Sequence, residues 1–232
     1  AYLMGAQELR NGTLPPTVGS LSPDVLQALD AGMFFDLMGV RLDADKAEGK
    51  HLSIGMDFLD ATYDDYVTVS DRIKNQFNTI DGIIFNATSL GILSPLTHYE
   101  PLTWAKTFQI NVHSNFLMYK TMFKLLNQIE NSTLLFVLAP EIEECKPNWG
   151  AYFVTKHTQR AILELIASEN EGTPVRTYGI IPRPMNTDLR KQAYPGKENA
   201  LLPSPKENIE IILSIILKPS DFKNGQTVKV AS

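Results

Sequence analysis

Short apolar runs alternate along the chain with segments of helical periodicity, and this alternation limits the possible folds more than any other feature. Seven runs rich in branched and aromatic residues are predicted strands: 2–6, 34–40, 51–58, 80–87, 133–139, 175–182 and 227–230. Five segments between them are predicted helices: 22–32, 62–77, 102–128, 148–167 and 204–218. Strands that are apolar throughout need cover on both faces, so we expect a doubly wound parallel α/β sheet of about seven strands in three layers.

Two irregular segments, 7–21 and 183–205, are rich in glycine and proline, and each follows a predicted strand. Parallel sheets bind ligands beyond the carboxyl ends of their strands, so both segments are candidate binding loops. The second also carries apolar side chains and is interpreted as a substrate lid. No linker interrupts the pattern, so residues 1–232 are expected to form a single domain.

Composition excludes several classes of function. The net charge is −5 and no basic run is interleaved with aromatic residues, which argues against nucleic acid and anionic membranes as partners. The single cysteine, Cys145, permits no internal disulfide, and the four histidines lack ligand spacing, so no metal site is expected. No run of 18 apolar residues without charge is present, and we expect a cytoplasmic protein.

Tyr152 and Lys156 stand four residues apart in the predicted helix 148–167. One helical turn places a phenol and an ammonium on the same face, where they can converge on one ligand. A neighbouring ammonium stabilises phenolate, so we expect the pKa of Tyr152 to move from about 10 toward neutrality. Alternatively, Tyr152 packs beneath Trp149 and Lys156 is a solvated helix charge.

Four short motifs follow one another in a recognisable order: "FNAT" at 85–88, "INV" at 110–112, "NWGAYFVTK" at 148–156 and "IIPRPMNT" at 180–187. Together with the order of the elements, they resemble the short-chain dehydrogenase/reductase family, roughly from residue 33 to residue 230. The resemblance implies a Rossmann-like domain and an NAD(P)-dependent oxidoreductase. Such an enzyme transfers hydride between the cofactor and a small carbonyl or alcohol substrate.

The resemblance also assigns catalytic roles. Tyr152 matches the tyrosine that exchanges a proton with the substrate oxygen. Lys156 matches the lysine that lowers the pKa of that tyrosine and binds the nicotinamide ribose. Asn111 matches the asparagine that links the lysine to a water-mediated proton path, although it could instead bridge two helices.

The resemblance assigns cofactor contacts to a second set of residues: Gly5 at the first turn, Arg41 after the second strand, Asp57 near the adenine, Asn86 near the adenosine ribose, Lys156, and Thr187 near the carboxamide. Arg41 favours the 2′-phosphate of NADP, whereas Asp43 would suit the free ribose of NAD. Asp57 could instead cap the following helix, and Thr187 could cap the segment "DLRKQA".

The sequence departs from the family at the catalytic serine. Ala139 occupies that position and Pro140 follows, so neither offers a hydroxyl. Loss of one oxyanion donor typically lowers the rate by about 10²–10³.

The cofactor motifs depart from the family as well. Of the glycine-rich first turn only Gly5 is in register, and Thr88 and Arg183 replace glycines elsewhere. Arg183 could hold a phosphate or an anionic substrate.

Two hypotheses follow. The first is an oxidoreductase with a degenerate site, in which Asn148 or a water replaces the serine. The second is a catalytically silent protein that acts as a binding or assembly module. By resemblance, a homodimer or homotetramer is expected through the helices at 102–128 and 148–167.

Overall fold

The computed structural model describes residues 2–4, 54–203 and 209–230. Within these ranges five parallel strands form one sheet in the order β1-β2-β3-β4-β5. Their bounds are Tyr2–Met4 (β1), Gly82–Phe85 (β2), Ser132–Val137 (β3), Val175–Ile181 (β4) and Thr227–Lys229 (β5). The prediction of a Rossmann-like parallel sheet is confirmed, and all five strands fall within predicted runs or one residue from them.

Six α-helices are described: Tyr63–Phe77 (α1), Pro101–Phe108 (α2), Ser114–Leu126 (α3), Gly150–Glu169 (α4), Asp188–Ala193 (α5) and Ile209–Leu217 (α6). A π-helical turn, Gln109–His113, joins α2 to α3. The predicted helix 102–128 is therefore one continuous helical segment whose centre is π-helical. At the N-terminus of α1, the backbone N–H and the hydroxyl of Thr62 both donate to the Asp65 carboxylate.

The two faces of the sheet carry two separate apolar cores. Ile83, Phe85, Leu134 and Phe136 pack in the first core with residues of α1, α3 and α4. Their chain neighbours Ile84, Leu135 and Val137 pack on the opposite face against Ile212, Ile215 and Ile216 of α6. Successive side chains of a strand point to opposite faces, so this alternation establishes the three layers.

One predicted strand is wrong in the part that the structure describes. Residues 54–58 of the predicted run 51–58 are not extended strand. The Asp57 carboxylate accepts the N–H of Leu59, and the Asp57 carbonyl accepts the N–H groups of Asp60 and Ala61. These local bonds turn the chain toward α1 and compete with strand pairing. The predicted strand 34–40, the helix 22–32 and the loop 7–21 lie outside the described residues.

No helix among the described residues is long and apolar enough to cross a membrane.

Candidate functional site

Helix α4 brings Tyr152 and Lys156 together at the carboxyl end of β3. Both side chains are buried, with 4% and 2% of their surface exposed. The Lys156 ammonium donates to the carbonyl of Val137, the last residue of β3, at 2.9 Å, and it lies 5.7 Å from the centre of the Tyr152 ring. Because Lys156 is buried and anchored on the sheet, it is not a solvated helix charge.

Burial dominates the electrostatics of this pair. It lowers the pKa of Lys156 to about 7, and the nearby charge of Glu141 opposes that change. Burial also raises the pKa of Tyr152 above its ordinary value, with further contributions from Glu141 and Tyr194. The expectation that Lys156 brings the phenol toward neutrality is therefore wrong in this structure, because burial raises the pKa of Tyr152 and the neighbouring Glu141 and Tyr194 add to the rise.

Ala139, to which the resemblance assigns the position of the catalytic serine, lies in an apolar cluster around Tyr152. This aromatic cluster consists of Leu90, Ala139, Trp149, Tyr152 and Ala193, with Tyr194 packed against it. The Trp149 ring centre is 5.7 Å from that of Tyr152 and 5.5 Å from that of Tyr194. Tyr152 thus packs against Trp149, as one interpretation of the sequence held, while it also stays beside Lys156.

Glu141, Tyr194 and Arg190 form a polar group beside the aromatic cluster. Glu141 is buried, with 7% of its surface exposed, and its carboxylate accepts the Tyr194 hydroxyl at 3.1 Å. The Arg190 guanidinium lies 3.7 Å from the centre of the Tyr194 ring. Sequence reasoning missed Glu141. The one available signal was an acidic residue between Pro140 and Ile142, directly after an apolar strand.

Asn111 lies in the π-helical turn and is fully buried. Its side-chain amide donates to the Ser89 carbonyl and the Thr155 hydroxyl, both at 2.9 Å, and accepts the Ser89 N–H at 2.6 Å. Its backbone carbonyl accepts from the side chains of Gln159 (2.7 Å) and Asn115 (3.1 Å). Asn111 therefore links α4 to the loop after β2. This agrees with the alternative interpretation of the sequence, in which Asn111 bridges helices. Lys156 makes no hydrogen bond to it within the described ranges.

The remaining predicted cofactor residues fall into three groups. Thr187 caps α5, since its hydroxyl accepts the Arg190 N–H at 3.2 Å, and Asp57 holds the turn before α1. Asn86 lines a narrow crevice just after β2, together with residues of α3. Gly5 and Arg41 lie outside the described residues.

Asn148, considered as a replacement for the serine, is exposed and has a positive φ of 74°. Its carbonyl accepts the Ser94 N–H at 2.8 Å.

Three polar atoms near the carboxyl ends of β2 and β4 are buried without a hydrogen-bond partner among the described residues. They are Thr88 Oγ1, Arg183 Nε and Asn186 Oδ1. No group of three metal-ligating side chains occurs in the described part of the chain. Cys145, on the loop before α4, is exposed.

A family model described as short chain dehydrogenase matches residues 41–198. The curated "uncharacterized oxidoreductase YciK" of Escherichia coli K12 is 26% identical over 172 residues, which span 74% of this chain and 68% of that protein. A short chain dehydrogenase structure from Shigella flexneri, complexed with NADP, is 25% identical with a TM-score of 0.71, covering 78% of this chain and 74% of that one. The residues that the family model matches do not include Gly5.

A local similarity links the chain to a different class of enzyme. The linear primary-alkylsulfatase of a Pseudomonas species is 45% identical over 60 residues, a stretch equal to 25% of this chain but only 9% of that enzyme. A match to so small a share of that enzyme says nothing about the activity of this chain.

Proposed function

The chain belongs to the short-chain dehydrogenase family, and we propose that it is a nicotinamide-dependent oxidoreductase that interconverts a small carbonyl compound and an alcohol through a degenerate site. The observation that carries the proposal is the buried pair of Tyr152 and Lys156 at the carboxyl end of β3, with the ammonium fixed on the Val137 carbonyl. A phenol beside an anchored lysine is suited to exchange a proton with a substrate oxygen.

The residues at the strand ends offer hydrogen-bond donors that a dinucleotide can accept. In its charged form Lys156 uses one N–H on Val137 and has two more to donate, while Thr88 Oγ1 and Arg183 Nε have no partner among the described residues. These three residues, with Asn86, would hold the cofactor, and a bound nicotinamide would supply or accept the hydride. We favour NADP over NAD, because the similar Shigella flexneri structure was solved with NADP.

Within the site, Tyr152 holds the proton for the substrate oxygen. Its raised pKa makes the phenol a weak acid. In general, a charged ammonium beside a phenol favours release of the proton. Because the pKa of Lys156 is about 7, that charge is only partly present at neutral pH. The aromatic cluster excludes water and favours a substrate with an apolar group.

Ala139 lowers the turnover that we expect. It offers no hydroxyl to the substrate oxygen, and the exposed Asn148 is poorly placed to replace one. We therefore expect turnover about 10²–10³ below that of a relative with the serine.

Cofactor binding is the first test. NADPH and NADH are titrated separately into the protein, following nicotinamide fluorescence and the melting temperature. A ligand that binds only the native state must raise its stability. Binding of either is expected, whereas no binding of either at about millimolar concentration would end the oxidoreductase proposal.

The second test is Tyr152→Phe, which removes the proton donor but keeps the ring in the aromatic cluster. Cofactor-induced stabilisation should persist while turnover falls by about 10² or more. Tyr178→Phe is the control, because Tyr178 is equally buried but packs on the opposite face of the sheet. Turnover unaffected by Tyr152→Phe would remove Tyr152 from the chemistry.

A second candidate is a catalytically silent protein that binds a ligand or assembles with other chains. The packing of Trp149 and Tyr194 around Tyr152, beside Ala139, favours it. This reading predicts cofactor binding without turnover of any aldehyde, ketone or alcohol, and a Tyr152→Phe variant that behaves like the wild type.

A further inference from the structure

The surroundings of the Lys156 nitrogen lack the groups that usually keep a buried lysine charged. Only 2% of the residue is exposed, and no carboxylate of the described residues lies within ion-pair distance of it. Its hydrogen bond goes to a neutral acceptor, the Val137 carbonyl, at 2.9 Å. A neutral amine can make this bond too, because it keeps two N–H groups. An uncharged lysine nitrogen also has a lone pair and can attack a carbonyl carbon.

Glu141, in the turn after β3, is the charge that acts on Lys156. Its carboxylate accepts the Tyr194 hydroxyl at 3.1 Å rather than an N–H of the lysine. Burial lowers the pKa of Lys156 to about 7, and Glu141 opposes that change only in part. The neutral amine is therefore present in about half of the molecules at neutral pH, whereas an amine in water is almost fully protonated.

Tyr152 places a proton donor beside this amine. Lys156 Nζ lies 5.7 Å from the centre of the Tyr152 ring, one helical turn away on α4. Burial raises the pKa of Tyr152, so the phenol keeps its proton at neutral pH. Leu90, Ala139 and Trp149 of the aromatic cluster surround the phenol with apolar groups. Exclusion of water slows the hydrolysis of a reactive intermediate such as an imine.

We propose that Lys156 captures small aldehydes as a covalent imine, with Tyr152 as the proton donor. The Lys156 nitrogen forms a C–N bond to the carbonyl carbon while the C=O π pair moves to the oxygen. The oxygen leaves as water with two protons: one that the ammonium released on becoming neutral, and one passed from the nitrogen through Tyr152. The nitrogen keeps its third proton, so an ammonium and an aldehyde give an iminium and water without an oxidant or a cofactor.

The narrow approach to the pair selects the substrate class. Only 4% of Tyr152 and 2% of Lys156 are exposed, and the rings of Trp149 and Tyr194 pack over the phenol side. A short aldehyde carries one hydrogen at its reacting carbon and needs less room there than a ketone. The activity goes beyond the proposed oxidoreductase reaction, because no hydride is transferred.

Reductive trapping tests the inference. The protein is incubated at neutral pH with limiting propanal and sodium cyanoborohydride, which reduces an imine to a stable secondary amine. Peptide mass spectrometry then locates the modified lysine. We expect Lys156 to be modified about tenfold or more faster than Lys120, which is exposed. Both lysines belong to one chain, so this comparison needs no variant, and the preference should vanish in denaturing guanidinium chloride.

Two variants test the roles of the pair. Tyr152→Phe keeps the ring but removes the proton donor, and it should slow the modification of Lys156 about tenfold while that of Lys120 is unchanged. Tyr178→Phe is the matched control, because Tyr178 is buried on the opposite face of the sheet. Propanal without the reductant should raise the melting temperature of the wild type but not of Lys156→Arg, which keeps a cation and cannot form an imine.

The inference fails separately from the proposed function. Preferential modification of Lys156 in a protein that binds neither NADPH nor NADH would support the imine and end the oxidoreductase proposal. Cofactor binding with turnover, but without preferential modification of Lys156, would do the reverse. The inference is overturned if native Lys156 is modified no faster than Lys120, or if Tyr152→Phe and the wild type are modified at the same rate.

Discussion

Ala139 places a methyl group where the resemblance expects a serine hydroxyl, and Tyr152 is left in a mostly apolar cluster. The proximity of Tyr152 and Lys156 could be predicted from the sequence, because four residues make about one helical turn. Their pKa values could not. Those depend on burial of the pair and on the charge of Glu141, which result from the tertiary fold.

Restoring the hydroxyl tests whether Ala139 limits the chemistry. In Ala139→Ser we expect turnover to rise about 10²-fold, because an oxyanion donor is regained. Initial rates of NADPH oxidation with a panel of aldehydes and ketones measure this. Ala193→Ser adds a hydroxyl to another buried alanine of the aromatic cluster and should leave the rate unchanged. Equal rates for the wild type and Ala139→Ser would contradict the proposed role.

Lys156 predicts a pH dependence of stability. Its pKa is about 7 in the folded protein against an ordinary value of 10.5, so between these values the unfolded chain binds more protons. Stability therefore rises with pH in that window, by up to about 1.4 kcal/mol per pH unit.

Urea unfolding of the wild type and of Lys156→Met measures this slope. The range is about pH 7 to about pH 9.5, because at higher pH the ionisation of Tyr residues in the unfolded chain lowers the stability and opposes the effect of Lys156. The wild type should gain stability relative to Lys156→Met as the pH rises. Lys120→Met, at an exposed position, should follow the wild type. Parallel curves for the wild type and Lys156→Met would show that Lys156 is not buried as the structure has it.

At the scale of elements, helix α4 sets the geometry of the site, and its first residue fixes where it begins. Gly150 has a positive φ of 44°, and the Tyr99 ring lies where a β-carbon would stand. The helices α1, α4 and α6 follow from apolar periodicity, so the sequence predicts them. The sequence does not predict the π-helical turn at Gln109–His113, because side chains of α4 and the backbone of Ser89, in the loop after β2, hold Asn111 in place.

Gly150→Ala should lower the free energy of unfolding by about 2–5 kcal/mol, from backbone strain and from displacement of the Tyr99 ring. Gly172→Ala is the matched control, because Gly172 also has a positive φ (86°) but open space around it. It should cost roughly 1–2 kcal/mol. Urea denaturation measures both, and equal losses would mean that Tyr99 does not press on the start of α4.

At the scale of the molecule, the alternation of strands and helices predicts the parallel sheet and its two cores, because burial on both faces demands it. It does not predict assembly. Three large apolar side chains are exposed on the helices that the resemblance assigns to a subunit interface: Leu102 on α2 (58%), Phe116 on α3 (47%) and Leu165 on α4 (57%). A second copy of the chain would cover them.

We expect the protein to be a homodimer or a homotetramer, with a smaller assembly in the Phe116→Glu and Leu165→Glu variants, because each buries a charge in an apolar contact. Size-exclusion chromatography with light scattering measures this. Leu201→Glu changes an exposed apolar residue away from both helices and should retain the wild-type mass. A monomeric wild type would remove these helices as an interface.

The exposed thiol of Cys145 makes the protein convenient to label. It is the chain's single cysteine, and it lies on the loop between the turn that carries Glu141 and the start of α4. A maleimide fluorophore therefore attaches at one defined position without mutagenesis. A change in its emission on addition of a ligand would test whether that ligand binds near the loop before α4.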